Sequence, residues 1–195
     1  WIYSANLDDD FVDKVNNLSP TKDTERQLVI DSIGNFSNDP EITLHFLENN
    51  TISKFYLLEG EDVNISDEDG VWLDKEFADA KNLKVGDNIS FTFNGVTIEK
   101  EIKGLGYSPE YVYHASDSSI IPDFNKMGFA YLSYEAFPLS DVPYNVLLVD
   151  FDGSAGNYND LLSDKLDGDY NSFVEKSENP SVSQFSEEID QHKMM

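Results

Sequence analysis

Apolar residues recur along the chain in two rhythms, one helical and one strand-like, and the switches between them mark out its elements. Phe11, Val12, Val15 and Leu18 fall at helical spacing behind Asp8, Asp9 and Asp10, whose charges favour a helix amino terminus, so a helix is predicted over residues 7–18. Ser19-Pro20 ends it, because a proline ring disfavours the helical region for the residue before it. Three runs rich in Val, Ile, Leu and Phe follow at 27–33, 41–46 and 52–58. Gly34, Asn38-Asp39-Pro40 and Asn49-Asn50 separate them, so they read as short strands. Residues 70–73 read as a further strand, and 74–81 as a short helix whose first amides Asp74 can cap.

The strongest local signal spans residues 88–102. Asn94-Gly95 is the preferred pair for a two-residue turn in which both positions need positive φ, which predicts a hairpin. In that register Phe93 faces Val96, Phe91 faces Ile98 and Ile89 faces Lys100, and the last mismatch predicts a bulge or a sheet edge. Residues 107–113 carry three tyrosines around Ser108-Pro109 and read as extended and partly exposed, and 114–126 as a polar loop. Residues 128–132 and 145–151 read as strands, the second apolar enough to be central. Tyr158, Leu161, Leu162 and Leu166 form a helix face. Val182, Phe185 and Ile189 stripe a last helix over 182–191, opened by a capping box of Ser181 and Gln184, so both chain ends are predicted to be amphipathic helices.

At 195 residues and 39% hydrophobic content, the chain can bury one sizeable core or two small ones without disulfides. Its 38 acidic residues against 13 basic ones leave a net charge of -25, which disfavours nucleic acid and anionic lipid headgroups as partners. Without cysteine there is neither a disulfide framework nor a thiolate metal site, a composition that suits the outside of a Gram-positive cell and a cytosol equally. Apolar runs stop at four residues, far short of the ~20 needed to cross a bilayer. The chain opens at Trp1 with no leader-like segment before it, and is read as part of a longer protein.

The catalogue of chemical motifs is nearly empty. His45, His114 and His192 lie far apart, and none has a partner at metal-ligand spacing. Asp67-Glu68-Asp69-Gly70 and Asp150-Phe151-Asp152-Gly153 invite a calcium reading, but an EF-hand needs an acid five positions before each glycine, where Ile65 and Leu148 stand. Turns that use Asp and Gly for their dihedral freedom account for both. There is no Gly-x-Ser-x-Gly elbow, no Ser-x-x-Lys and no phosphate-binding glycine loop. No catalytic, metal-binding or cofactor-binding residue is nominated, and the chain is not expected to be an enzyme.

One ordered set of features does carry information. Leu58-Glu59-Gly60 is followed by the strand Val71-Trp72-Leu73, the short helix with Phe77-Ala78, then Leu83-Lys84-Val85-Gly86-Asp87, the hairpin around Asn94-Gly95, and Ile102-Lys103-Gly104. With the trailing Ser108-Pro109-Glu110-Tyr111-Val112-Tyr113 and the later Tyr144-Asn145, this order resembles the extracytoplasmic domain of FtsX-like ABC transporter permeases, the MacB-type periplasmic core domain. The likeness covers roughly residues 40–195 and weakens toward the amino terminus. Read from the residues alone, Gly86 and Asp87 serve as a helix exit, the glycine giving a left-handed turn and the aspartate accepting from nearby amides. Gly60, Gly104, Asn94 and Gly95 are likewise architectural.

The resemblance implies an α+β domain with two lobes: residues 1–57 plus 144–195 as a porter-like lobe of helices on a mixed sheet, and 58–143 as an inserted strand-rich lobe. It also implies a cell-membrane location on the outer side and a permease dimer driven by a separate cytoplasmic ATPase subunit. The expected role is to transmit conformational change or to contact peptide, lipoprotein or lipid cargo or a partner protein. Tyr107, Tyr111 and Tyr113 are the candidates for that contact, since tyrosine supplies amphipathic area at modest entropic cost. Two other readings stay open: a freestanding extracellular binding or adhesion module, and an enzyme whose pocket brings His45 or His114 against several carboxylates.

Overall fold

The computed structural model describes residues 1–111, 123–166 and 168–179. In chain order it contains β1 (Ile2–Tyr3), α1 (Asp9–Asn16), β2 (Thr21–Gly34), β3 (Glu41–Leu47), β4 (Tyr56–Gly60), β5 (Gly70–Asp74) and α2 (Lys75–Lys81). There follow β6 (Asn88–Phe93), β7 (Val96–Tyr107), β8 (Met127–Ser133), β9 (Val146–Phe151), α3 (Ala155–Leu166) and β10 (Ser172–Phe173). The fold is α+β, a mixed sheet flanked by a few helices, and the predicted helix over 182–191 lies outside the described residues.

Strand order is β10-β1-β9-β2-β3-β8-β5-β7-β4. β3 pairs with β8 and β5 with β7 in parallel, and the other pairings are antiparallel. β6 adds a closure: paired along its length with β7, it also meets β2 through Ile33 and Gly34. The path β2-β3-β8-β5-β7-β6 therefore returns to β2 as a ring of six strands. Leu28, Leu44, Phe46, Val71, Leu73, Phe91, Ile102 and Leu132 alternate inward from these strands, and Phe77 and Ala78 of α2 join them in one core. Beyond the ring, α1 and α3 pack Phe11, Val15, Tyr158 and Leu162 against Ile2 and Leu147 of the sheet's other end.

Local chemistry accounts for the ends of the helices. Asp8 caps α1 by accepting from Phe11 N at 2.9 Å, with Asp9 and Asp10 in the first turn. Asp74 caps α2 by accepting from Glu76 N at 3.1 Å. The left-handed residue that ends α2 is Asn82 (φ 57°), which corrects the reading of Gly86 as the helix exit. Gly86 (φ 93°) sits in the turn leading into β6, where Asp87 accepts from Lys84 N at 2.8 Å.

The hairpin has the register the sequence predicts, Phe93 to Val96, Phe91 to Ile98 and Ile89 to Lys100. Asn94 (φ 47°) and Gly95 (φ 78°) both turn left-handed at its tip. There is no bulge at Ile89, because that part of β6 is a sheet edge beyond the two-residue contact with β2.

Other predictions are displaced. β2 runs back to Thr21 because its polar first half pairs with β9. The predicted strand over 52–58 begins only at Tyr56, since residues 51–53 fold across the sheet. Residues 107–113 are not a continuous extended run: β7 stops at Tyr107 and Pro109–Tyr111 is a turn of 3-10 helix. Nor does the chain begin in a helix, because Ile2 and Tyr3 pair with both β9 and β10. Asn145 stands at the head of β9, where its side chain accepts from Val29 N and donates to Val29 O, both at 2.8 Å, so it extends the pairing of β2 as a backbone would.

Candidate functional site

The outer face of the ring wall is where polar chemistry gathers. Alternation along β2 and β3 turns Leu28, Leu44 and Phe46 inward and so places Glu25, Gln27 and His45 on the opposite face, joined there by Tyr131 of β8 and Trp72 of β5. Among the described residues no α-helix covers this part of the face. Two loop segments lie over it instead, residues 51–55 and 108–111, and hydrogen bonds hold each of them down.

Glu25 Oε2 accepts from Thr51 N at 2.7 Å, Thr51 Oγ1 at 2.9 Å and Ile52 N at 3.0 Å, fixing the first segment. Burial pushes the Glu25 carboxyl above its usual range, and those same donors partly restore it. The second segment is held through His45. Gln27 Oε1 lies 3.0 Å from His45 Nδ1, and the Tyr111 hydroxyl 2.5 Å from Nε2. Complete burial lowers the His45 pKa to about 3, so the ring is neutral. A neutral imidazole facing a carbonyl at Nδ1 carries its proton there, donates it to Gln27, and accepts from Tyr111 at Nε2. Tyr131 stacks on the imidazole at 4.6 Å between ring centres, and its hydroxyl is 2.8 Å from Ser108 Oγ. Tyr111 in turn stacks on Phe129, also at 4.6 Å.

Satisfaction is incomplete. Four buried side-chain atoms among the described residues lack a hydrogen-bond partner, and three of them lie here: Glu25 Oε1, Gln27 Nε2 and Glu110 Oε1. Glu110, held up in pKa by burial, follows Ser108 and Pro109 into the wall of a cavity of about 770 Å³ between the 51–53 loop and the β10 end of the sheet. Its other oxygen accepts from the Trp1 indole at 3.3 Å.

The residues singled out from the sequence are scattered. Gly60 (φ 95°) ends β4, the outermost strand. At Gly104 a side chain is excluded, because a Cβ there would stand 2.5 Å from the Trp72 ring. Asn94, Gly95, Gly86 and Asp87 lie in turns away from the cavity. Of the three tyrosines, Tyr107 is 40% exposed and donates to Glu76 Oε1 at 2.9 Å, whereas Tyr111 is built into the His45 network rather than offered to a partner. Tyr113, His114 and His192 lie outside the described residues.

Asp67 accepts from the Asp69 and Gly70 amides, and Asp150 and Asp152 flank Lys22, so both acidic-glycine segments serve local structure. Among the described residues no group of three or more His, Asp or Glu side chains is placed to hold a metal ion, and no helix is long and apolar enough to cross a membrane. Glu25, Gln27 and Thr51 are not singled out by the sequence, and Ser108 and Glu110 enter its reading only within the motif that carries the resemblance. The signal available was a glutamate and a glutamine two apart at the head of an apolar strand, and a histidine inside another.

No family model and no curated protein matches the sequence. Solved structures do match the fold. The chain superposes on the extracellular domain of YknZ, a noncanonic ABC-type transporter from Gram-positive bacteria, with a TM-score of 0.54 and 14% identity over 85% of this chain and 92% of that one. The periplasmic region of MacB from Actinobacillus actinomycetemcomitans gives 0.51 and 14% over 95% and 90%. The fold is that of these extracellular and periplasmic domains.

Proposed function

We propose that this domain is the extracytoplasmic part of an ABC transporter permease, which transmits conformational change between membrane and exterior and does no chemistry of its own. The observation that carries the reading is the fold shared with two such domains over nearly their whole lengths. The pairing of the first described strand with the last supports it: Ile2 pairs with Phe173 and Trp1 N lies 2.8 Å from Val174 O, so residues 1–3 and 172–174 run side by side at one edge of the sheet. A domain inserted between two membrane segments needs that arrangement. A noncatalytic role also fits His45, whose two ring nitrogens are occupied within the protein.

On this reading, ATP hydrolysis belongs to a separate cytoplasmic subunit and the permease works as a dimer. Partner or cargo contact falls to β4, the last strand of the sheet order, which pairs with β7 outside the closed ring. There Tyr56 (62% exposed), Leu58 (55%) and Tyr107 face outward together.

The test uses the absence of cysteine. In the full-length protein, with any cysteine outside these 195 residues replaced, a cysteine at the exposed Glu99 should react with a membrane-impermeant maleimide in intact cells, and an ATPase subunit should co-purify in detergent. Labelling only after lysis, or purification without an ATPase, overturns the reading.

A further inference from the structure

The face of β4 and β7 that turns toward α2 combines exposed aromatic rings with unevenly used charge. Tyr56 and Tyr107 stand opposite one another across the two strands, and Glu59 and Leu105 do so further along, so the four side chains share that face. The Tyr107 hydroxyl donates to Glu76 Oε1, in the first turn of α2, at 2.9 Å. Past Glu59 and Lys75 the face opens into a hollow of about 490 Å³ lined by Leu83, Val85 and Leu105. Lys75 lies 3.5 Å from Glu59 and also meets Asp79, so these three charges are already paired, and Lys84 stands at the far lip of the hollow. Glu76 differs from them. It is exposed and forms no salt bridge among the described residues.

An open carboxylate beside exposed tyrosine rings matches a guanidinium, whose plane stacks on an aromatic face while its N–H groups donate to the carboxylate. An ammonium meets the charge but not the stacking, and an anion is repelled. A second copy of these residues does not supply the group: the domain carries a net charge of -25, and its single arginine, Arg26, is held by Glu48 and Asp9. We infer that this face seats an arginine of a partner protein, with the guanidinium on Tyr56 and Tyr107 and bonded to Glu76, and with apolar neighbours of that arginine in the hollow against Val85 and Leu105. The inference rests on the reading that partner contact falls to β4, and it specifies the chemistry of the partner.

The probe is the peptide acetyl-Ser-Leu-Arg-Leu-Ser-amide, titrated at neutral pH into the isotope-labelled chain and followed through its amide resonances. It should shift residues 56, 76 and 107 saturably, whereas the same peptide with glutamate for arginine should shift none of them, and with lysine it should bind about three-fold more weakly or worse. Glu76→Gln should weaken the arginine peptide about five-fold or more. Tyr56→Ser with Tyr107→Ser should do the same without touching a charge, and Glu99→Gln, on the exposed hairpin, should leave binding unchanged. Glu76→Arg should reverse the preference toward the glutamate peptide. The absence of a saturable shift, equal affinity for the arginine and lysine peptides, or equal affinity for wild type and Glu76→Gln overturns the site. Surface labelling at Glu99 and co-purification of an ATPase do not depend on Glu76, so failure of the site and failure of the transporter reading are told apart.

Discussion

Leu44 and Phe46 point into the six-strand ring and His45, between them, points out of it, and the two faces so divided cohere by different means. The inner face is a continuous body of aliphatic and phenyl side chains from β2, β3, β5–β8 and α2, in which the buried Ser32 hydroxyl donates to Ile42 O. The outer face adds direction to a smaller cluster of Leu47, Phe55, Trp72, Phe129 and Tyr131: a glutamate ties down one loop, a neutral histidine with its tyrosine ties down another, and three polar atoms are left over. The inner face should therefore be sensitive to lost volume, and the outer to lost partners and to pH.

The largest effect is expected inside. Phe46→Ala removes a fully buried ring that meets Phe93 and Phe137, and should destabilise the domain by about 3–5 kcal/mol in urea unfolding. A loss under about 1 kcal/mol would mean that the ring interior collapses around the gap, and the contrast between the faces would weaken.

Next come the two buried groups whose titration runs in opposite directions. Asp74, at the start of α2, has its pKa raised to about 7 chiefly by burial, with Oδ2 unpartnered. Between about pH 4 and 7 the folded state holds a proton that the unfolded chain has released, so this group's contribution falls as pH rises across that window, by a few kcal/mol at most. Asp74→Asn keeps a capping oxygen and should flatten that slope, leaving the variant more stable than wild type above pH 7.

On the outer face His45→Leu strands the Gln27 carbonyl and takes one partner from the Tyr111 hydroxyl, for a loss of about 1–3 kcal/mol at pH 7. His45 itself is depressed to about 3 in the folded state, so the unfolded chain takes up a proton that the folded one refuses, and this contribution falls as pH drops from about 6.5 toward 3. The Leu variant lacks that arm. Glu25 and Glu110, both raised by burial, act in the opposite sense as pH falls, so the difference between variant and wild-type curves is the readout.

What could be read from the sequence follows the same division. The hairpin was legible because Asn94-Gly95 fixes its turn locally and alternation fixes its register, and the cores of α1, β3 and β9 were legible through apolar spacing. The first half of β2 was not, because Thr21-Lys22-Asp23-Thr24-Glu25-Arg26 has no apolar rhythm, and only pairing with β9 and the burial of Glu25 make it a strand. Two-residue strands such as β1 and β10 exist only through pairing, β1 with β9 and β10, and β10 with β1. The His45 network joins residues 27, 45, 108, 111 and 131, and no short-range pattern encodes such a meeting.

The smallest effect on stability, and the one that most directly tests the outer edge, concerns the tyrosines of β4 and β7. Tyr56 and Tyr107 stand directly opposite one another and are well exposed, so replacing both by serine should change unfolding free energy by under about 0.5 kcal/mol. If β4 is where a partner seats, a photo-crosslinking residue at position 107 of the full-length protein should capture that partner in cells, one at position 99 should not, and Leu58→Asp should reduce the yield. Capture from position 99 but not 107 would move the contact to the hairpin side. The exposed tyrosines would then be ordinary surface on a blunted edge, since the irregular register between Leu57 and Glu59 already disfavours the pairing of a further strand.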